Sequence, residues 1–396
     1  MTDSLTTATT GVTAPQGFRA AGVAAGLKSS GAPDVALVVN DGPRYTAAGV
    51  FTGNRVKAAP VRWCEHILSG PGAELAAVVL NSGGANACTG PAGYDDTVST
   101  AEHVAGMLDL SAQRVAVAST GLIGVRLPME NLLAGIDRAA AALAGTGGAD
   151  AATAIMTTDS VPKTVQIGVG GFTVGGMAKG AGMLAPGLAT MLVVLTTDAV
   201  ADSSALDRAL RAATRVSFDR LDSDGAMSTN DTVLLLASGA SGVEPPQDLL
   251  QAAVTRACAD LAAQLLADAE GATKEIAIEV VHAATEDDAV TVGRTVARNN
   301  LVKTAFFGQD ANWGRILAAV GTVGPHVEFD PDAIDVAING VWICRAGSTG
   351  EDRDAVDLGG RSVRVVIDLH AGSESATIST NDLSHAYVHE NSAYST

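Results

Sequence analysis

The sequence predicts an α/β protein of two lobes. Short apolar runs typical of buried strands, such as Ala76–Leu80 and Val115–Ala118, alternate with helical patterns, such as Asp95–Leu108 and Met129–Leu143. No period of about 20–50 residues repeats, which argues against a solenoid or a propeller. The chain has 396 residues, more than the roughly 250–300 at which a single hydrophobic core stops growing, so we expect two lobes.

The remaining elements follow the same alternation. We predict two strands, Val35–Val39 and Thr46–Phe51, around an Asp41–Pro43 turn. We also predict a hairpin formed by Thr164–Val169 and Phe172–Val174. Further predicted elements are a helix from about Ser203 to Val216, a helix from Pro245–Pro246 to Gly271, strands at Glu275–Val281 and Arg364–Leu369, and a helix at Ala289–Asn300. We expect residues 1–12 to be a frayed tail, and Ala144–Asp150 to be the least ordered interior linker.

Composition and charge exclude several classes of function. Hydrophobic residues make up 47% and charged residues 17% of the chain, which argues against disorder. The net charge of −18 disfavours non-specific binding to nucleic acid and to anionic membranes. With 44 glycines and only 4% aromatic residues, we expect interfaces built from small side chains and close backbone packing.

No stretch reaches the roughly 18 apolar residues of a membrane span, and the polar first ten residues do not resemble a signal peptide. The four cysteines are far apart and lack CxxC spacing, which predicts free thiols and a cytoplasmic protein. The seven histidines show no HExxH or other ligand spacing, so the sequence predicts no metal site.

The stretch Gly175–Leu195 is the most informative part of the sequence. It begins as a glycine-rich loop with one charged residue, Lys179, and ends in the apolar run Met191–Leu195, which predicts a buried strand. Thr190 lies at the junction. Cleavage of the Ala189–Thr190 bond would make Thr190 a new N-terminus, which carries both a hydroxyl nucleophile and a free α-amine. The amine titrates near pH ~8 and could act as the base for the hydroxyl. From spacing alone, a plain loop entering a core strand is the simpler interpretation.

Two other positions could carry chemistry. Thr120 and Gly121 end a predicted strand and could donate a hydroxyl and a backbone N–H to an oxyanion, although Ser-Thr-Gly is more often a turn. Glu270 falls in the last predicted helical turn, where a carboxylate opposes the helix dipole at a cost of about 0.3–1 kcal/mol. A solvated surface glutamate or a residue held for a ligand ammonium would both fit this position.

Seven ordered motifs resemble the ornithine acetyltransferase (glutamate N-acetyltransferase) family. They are Ser119–Gly124 (STGLIG), Ile155–Asp159 (IMTTD), Met177–Met183 (MAKGAGM) with Ala185–Pro186 and Leu188–Leu192 (LATML), Ser228–Thr232 (STNDT), Asp268–Lys274 (DAEGATK), Asn312–Arg315 (NWGR) and Glu390–Thr396 (ENSAYST). The resemblance runs from about Gly11 to Thr396. That many motifs in order make a chance match very improbable.

The resemblance implies interleaved lobes of layered sheets flanked by helices, and self-cleavage at Ala189–Thr190. The products would be an α chain of residues 1–189 and a β chain of residues 190–396, assembled as two of each. The implied reaction moves acetyl from N2-acetyl-L-ornithine to L-glutamate in arginine biosynthesis, without a metal or an organic cofactor. By resemblance, Thr190 is the nucleophile, Thr120 and Gly121 form the oxyanion hole, and the substrate is bound by Thr157, Lys179, Thr190, Glu270, Asn391 and Thr396.

Several alternatives stay open at the level of sequence. The enzyme could also use acetyl-CoA as the acetyl donor, or be a paralogue of the same chemistry in secondary metabolism. A self-processing amidase or aminopeptidase would share the nucleophile. An uncleaved assembly protein rich in small residues is the non-enzymatic alternative.

Overall fold

The computed structural model describes residues 10–70, 72–184 and 191–393. Ala189 and Thr190, the predicted cleavage pair, and Thr396, a predicted substrate ligand, therefore lie outside the described residues. Within the described ranges, no helix is both long enough and apolar enough to cross a bilayer.

The predicted alternation of strands and helices is confirmed. The strands are β1 (Phe18–Val23), β2 (Val35–Asn40), β3 (Thr46–Phe51), β4 (Ala77–Ser82), β5 (Val115–Thr120), β6 (Lys163–Val169), β7 (Phe172–Lys179), β8 (Leu192–Thr197), β9 (Thr232–Ala237), β10 (Glu275–Ala283), β11 (Asp335–Ile338), β12 (Val341–Arg345), β13 (Ser348–Thr349), β14 (Ser362–Asp368) and β15 (Glu374–Asn381). The α-helices are α1 (Ala59–Ile67), α2 (Gly90–Leu108), α3 (Met129–Ala141), α4 (Gly148–Ala154), α5 (Ser203–Val216), α6 (Gln247–Ala267), α7 (Glu286–Ala297), α8 (Asn300–Phe307), α9 (Trp313–Val320) and α10 (His385–Ala393).

The strands form three sheets, and the first two are interleaved in sequence. Sheet 1 has the order β1-β2-β4-β5, sheet 2 the order β3-β9-β8-β7-β6, and sheet 3 the order β13-β12-β11-β14-β10-β15. Strand β3 lies between two strands of sheet 1 in the chain, yet it pairs with β9, far along the sequence, in sheet 2. The predicted class, layered α/β sheets with interleaved lobes, is confirmed.

Sheet 2 is buried on both faces because its strands alternate between two hydrophobic cores. In β8, Leu192 and Val194 join the core shared with sheet 1, whereas Val193 and Leu195 join the core beneath α5 and α6. Helices α1, α2 and α3 pack on sheet 1, so the order of layers is helices, sheet, sheet, helices. Sheet 3 has its own core with α7, α8 and α9. A strand covered on both faces is continuously apolar, as the sequence run indicates.

The two strands predicted around the Asp41–Pro43 turn are present as β2 and β3, but they do not pair with each other. Strand β2 pairs with β1 and β4 in sheet 1, whereas β3 pairs with β9 in sheet 2. The turn redirects the chain because the Asn40 amide donates to the Arg44 carbonyl (3.0 Å) while its carbonyl accepts from the Gly42 N–H (2.9 Å). All six residues of β2 are buried, so this strand needs a neighbour on each edge.

Three predictions require correction. Lys179 is the last residue of β7, paired with Leu192, and does not lie in a flexible loop. Helix α6 ends at Ala267, so Glu270 lies in the turn beyond the helix. The stretch Ala144–Asp150 is packed: Ala144 exchanges two backbone hydrogen bonds with Ala20, and α4 begins at Gly148. A composition rich in glycine and alanine is equally typical of close backbone packing and of flexibility.

We expect Gly147→Ala to destabilise the protein by about 1–3 kcal/mol, the usual cost of overpacking. A Cβ at Gly147 would lie 1.9 Å from the Ala20 carbonyl oxygen, a backbone atom that cannot move aside cheaply. Gly145→Ala in the same stretch is the matched control, because a Cβ there meets nothing within 4 Å. Urea denaturation measures both free energies of unfolding. Equal, near-zero effects would mean that the stretch is the loose linker its composition suggests.

Candidate active site

One cavity brings together most of the residues singled out from the sequence. It contains about 500 Å³ of empty space, part of it open to solvent. Its lining consists of Thr120, Gly121, Ile123, Thr157, Thr158, Lys179, Ala181, Gly182, Met183, Glu270 and Asn391. Six of these are predicted site residues: Thr120, Gly121, Thr157, Lys179, Glu270 and Asn391. The remaining three, Ala189, Thr190 and Thr396, lie outside the described residues.

Strand β5 delivers Thr120 and Gly121 to the cavity. The end of the strand is fixed from sheet 2, because the Asn230 amide donates to the carbonyls of Ser119 (2.8 Å) and Ala85 (2.6 Å). Gly121 has φ +124°, and a Cβ there would lie 2.6 Å from the Gly84 backbone nitrogen. Only glycine fits this position without strain. The Thr120–Gly121 pair is therefore held rigidly, as a site that must present donors at fixed positions requires.

Lys179 brings a buried positive charge into the cavity. Its side chain is 2% exposed, at the end of β7. Burial lowers the pKa of the Lys179 ammonium, while the nearby carboxylates of Asp159, Asp231 and Glu270 oppose that shift. A cation with little water around it interacts strongly with any anion that enters the cavity. This placement suits the binding of a ligand carboxylate.

A buried charge network, not found from the sequence, supports this wall of the cavity. The Lys163 ammonium donates to Asp159 and to Asp268, both at 2.6 Å, and its side chain is completely buried. Asp159 also accepts from the backbone N–H groups of Gly180 (2.7 Å) and Thr157 (3.0 Å). Burial opposes ionisation of Asp159, but Lys179, Lys163 and these hydrogen bonds hold its pKa below the ordinary value. The network therefore fixes the two segments that carry the lining residues Thr157 and Lys179.

Glu270 and Asn391 contribute the negative side of the cavity. The Glu270 N–H donates to the Ala181 carbonyl (3.0 Å), and its carboxylate accepts from the Asn391 amide (2.8 Å). The close approach depends on Gly182, because a Cβ at that position would lie 2.6 Å from both Glu270 oxygens. Helix α10 holds Asn391, whose amide also donates to the Tyr387 carbonyl. Only 9% of Glu270 is exposed, so it is not the solvated surface residue of the simpler interpretation.

Asp231 is a further buried carboxylate that spacing alone did not reveal. Its Oδ1 accepts from the Met191 N–H (3.2 Å), and Met191 is the residue directly after Thr190 in sequence. Its Oδ2 is buried and has no hydrogen-bond partner among the described residues. Burial raises the pKa of Asp231 well above its ordinary value, against the opposing effects of the Met191 N–H and Lys179. The available signal was its place in the motif Ser228–Thr232, just before an apolar strand.

The fold and the cavity define a layered α/β protein with a small, partly enclosed site that contains a buried ammonium, a buried carboxylate and hydroxyl groups. The comparisons with known proteins agree on its relatives. A family model described as the ArgJ family matches residues 19–396. The chain belongs to the ArgJ family.

Two relatives show how far the similarity extends. The arginine biosynthesis bifunctional protein ArgJ of Streptomyces avermitilis is 66% identical over 97% of this chain and 99% of the relative. Its counterpart from Thermobifida fusca is 62% identical over 97% of this chain and 100% of the relative. Among solved structures, ornithine acetyltransferase complexed with ornithine from Mycobacterium tuberculosis shares 58% identity, covering 46% of this chain and 96% of that chain, with a TM-score of 0.42.

We expect Lys163→Met to lower the free energy of unfolding by about 3–5 kcal/mol, because it leaves the carboxylates of Asp159 and Asp268 buried without their cation. The control is Lys57→Met, which removes the partly exposed ion pair with Glu65 and should cost about 0–1 kcal/mol. Chemical denaturation of both variants measures the difference. A loss in Lys163→Met no larger than in the control would show that the network contributes little to the fold.

Proposed function

We propose that this chain is an N-acetyltransferase of arginine biosynthesis, which moves acetyl from N2-acetyl-L-ornithine to L-glutamate. Two lines of support meet. The relatives named above are arginine biosynthesis proteins, at 62–66% identity over nearly their whole length. The cavity offers the charges that such substrates need, and it is lined by residues from five of the seven family motifs.

The observation that carries the proposal is the presence of Lys179 and Glu270, both buried, in the lining of one cavity. N2-acetylornithine has an α-carboxylate and a side-chain ammonium. Lys179 suits the carboxylate and Glu270 suits the ammonium, so one substrate can neutralise both buried charges. Glutamate lacks the side-chain ammonium, and its α-amine is the group that accepts the acetyl. Thr157, Asn391 and Thr396 complete the proposed substrate contacts.

The proposed chemistry is a two-step acyl transfer with Thr190 as nucleophile. Thr190 becomes an N-terminus when the Ala189–Thr190 bond is cut, and its amine takes the proton as Thr190 Oγ attacks the acetyl carbonyl. The Thr120 hydroxyl and the Gly121 N–H stabilise the resulting oxyanion. Ornithine leaves with that proton, which gives acetyl-Thr190. The glutamate amine then attacks the same carbonyl, loses a proton, and restores the free Thr190 hydroxyl.

Cleavage is compatible with an intact fold. Strands β7 and β8 are hydrogen-bonded neighbours in sheet 2, with Lys179 opposite Leu192, so the proposed cut lies between two strands that stay paired. The α chain of residues 1–189 and the β chain of residues 190–396 would share this sheet. We propose two copies of each chain in the assembled enzyme, which acts in the cytoplasm and needs no metal or organic cofactor for this reaction.

A second activity is favoured by the word bifunctional in the names of both relatives. We propose that it is acetylation of glutamate with acetyl-CoA as donor, because the same acetyl-Thr190 could then form from a thioester. The acceptor step would be unchanged. The test is to incubate the enzyme and glutamate with N2-acetylornithine or with acetyl-CoA and to measure N-acetylglutamate. Product from both donors indicates both activities, whereas product from N2-acetylornithine alone indicates only the first.

The central experiment is cleavage and acetyl transfer in a Thr190 series. Thr190→Ala removes the hydroxyl and should remain a single chain without activity, whereas Thr190→Ser keeps a hydroxyl and should still be cut, at a lower rate. Intact mass spectrometry measures cleavage, and release of ornithine from N2-acetylornithine measures activity. A Thr190→Ala protein that is still split at Ala189–Thr190 would falsify the mechanism. A wild-type chain that is cut but transfers no acetyl would contradict the proposed reaction.

We expect Thr120→Ala to reduce kcat by about 10²–10³, because it removes one donor to the oxyanion. Thr120→Ser keeps the hydroxyl and should retain most of the activity. Steady-state kinetics on the processed enzyme gives kcat and KM separately. A Thr120→Ala variant with normal kcat and a raised KM would place this hydroxyl in ground-state binding instead.

A further inference from the structure

Two histidines and a carboxylate meet in sheet 3, outside the cavity described above. The cluster consists of His282, Asp368 and His370, at the carboxyl ends of the parallel strands β10 and β14. The Nδ1 atom of His282 lies 2.9 Å from both Asp368 oxygens, and the Nδ1 atom of His370 lies 3.4 Å from Asp368 Oδ1. The three potential ligand atoms all lie within 4.8 Å of one another.

The backbone aims both imidazoles at the same carboxylate. His282 lies where the register of β10 against β15 shifts, and such a bulge redirects a side chain. Both histidines have left-handed backbone conformations, with φ +53° for His282 and +50° for His370. The His282 carbonyl accepts from the N–H groups of Ala371 (2.7 Å) and Gly372 (2.8 Å), which ties the two ends of the cluster together.

A fourth residue, Asp335 at the start of β11, orients His370. The Nε2 atom of His370 lies 3.2 Å from Asp335 Oδ2, and Asp335 is itself anchored by the Ala346 N–H (2.7 Å) and by Arg345 (3.0 Å). A neutral His370 that donates its Nε2 proton to Asp335 has a bare lone pair on Nδ1. In that tautomer the Nδ1 lone pair and Asp368 Oδ1 face each other at 3.4 Å, an arrangement that a cation bound between them would satisfy.

We propose that His282, Asp368 and His370 form a binding site for Zn²⁺, with Asp335 as the residue that positions His370. Zinc takes imidazole nitrogen at about 2.0–2.1 Å and carboxylate oxygen at about 2.0–2.2 Å, and a tetrahedral arrangement then separates its ligands by roughly 3.3 Å. The two nitrogen–oxygen separations, 2.9 Å for His282 and 3.4 Å for His370, bracket that value. A carboxylate on the second nitrogen of a ligating histidine is the usual support of such sites.

The bound ion would connect three strands of one sheet. His282 is the last residue but one of β10, Asp368 is the last residue of β14, and Asp335 is the first residue of β11. The site therefore joins the end of the sheet that neither the cavity nor the proposed cleavage reaches. Both imidazoles are half-exposed while the Asp368 side chain is 10% exposed, which leaves the fourth coordination position open to solvent. The role is stabilisation of sheet 3, separate from acetyl transfer.

The test is a zinc titration of the full-length chain, stripped of metal, in a Cys88→Ser background, because Cys88 is an exposed thiol that could bind zinc itself. Isothermal calorimetry at about pH 7.5 should give one Zn²⁺ per chain and a rise in Tm. His282→Gln and His370→Gln should each weaken binding at least tenfold, and Asp335→Asn by about 10–100-fold.

The matched control is His326→Gln, which removes another exposed histidine outside the cluster and should leave zinc binding unchanged. Cobalt gives a second readout: intense visible absorption bands indicate a tetrahedral site and should disappear in His370→Gln. The changed side chains are half-exposed, and near-ultraviolet circular dichroism checks that the variants are folded. Absence of saturable binding in the parent, or binding that survives both histidine substitutions, would overturn the proposal.

Discussion

The ladder between β7 and β8 is the constraint on which the rest of the site depends. Lys179 and Leu192 are paired across it, so the twelve residues between them form a connection whose two ends are fixed at neighbouring positions in sheet 2. Beyond this pair, Met191 is held to β9, because its N–H donates to Asp231 and its carbonyl accepts from the Thr232 N–H. A bond broken inside the connection would therefore leave the sheet, and with it both hydrophobic cores, in place.

The charges around the cavity are buried and stabilise one another. Burial disfavours the ammonium of Lys179 and the carboxylate of Asp231, and each opposes the shift of the other. The pKa of Asp159 lies below its ordinary value because two lysines and two backbone N–H groups face its carboxylate. Such a cluster is costly to desolvate, so its presence does not by itself indicate a gain in stability, although removal of one partner leaves the others buried without it. A charged ligand would therefore contact charged side chains that their hydrogen-bond and ion-pair partners already hold in place.

The sequence predicted what depends on local periodicity and failed where contacts are long-range. Strands β3 and β5 and helix α5 lie close to their predicted positions, since apolar spacing alone indicates them. The pairing of β3 with β9 was not predictable, because nothing local distinguishes it from a hairpin with β2. Thr120 and Glu270 were candidates from their positions at the ends of predicted elements, and the motif resemblance assigned the roles of Thr120, Lys179 and Glu270. The Lys163 network and the His282–Asp368 contact join residues 105 and 86 positions apart, beyond any spacing rule.

Glycine content explains how these distant segments come so close. A Cβ at Gly182 would overlap the Glu270 carboxylate, a Cβ at Gly121 would overlap the Gly84 backbone, and a Cβ at Gly147 would overlap the Ala20 carbonyl. With 4% aromatic residues, the chain has few large side chains to separate these segments. Two of the three close approaches, at Gly121 and Gly182, involve residues that line the cavity. The walls of the cavity come from β5, from β7, from α10 and from the turn after α6. They can approach one another closely because the glycines between them have no Cβ.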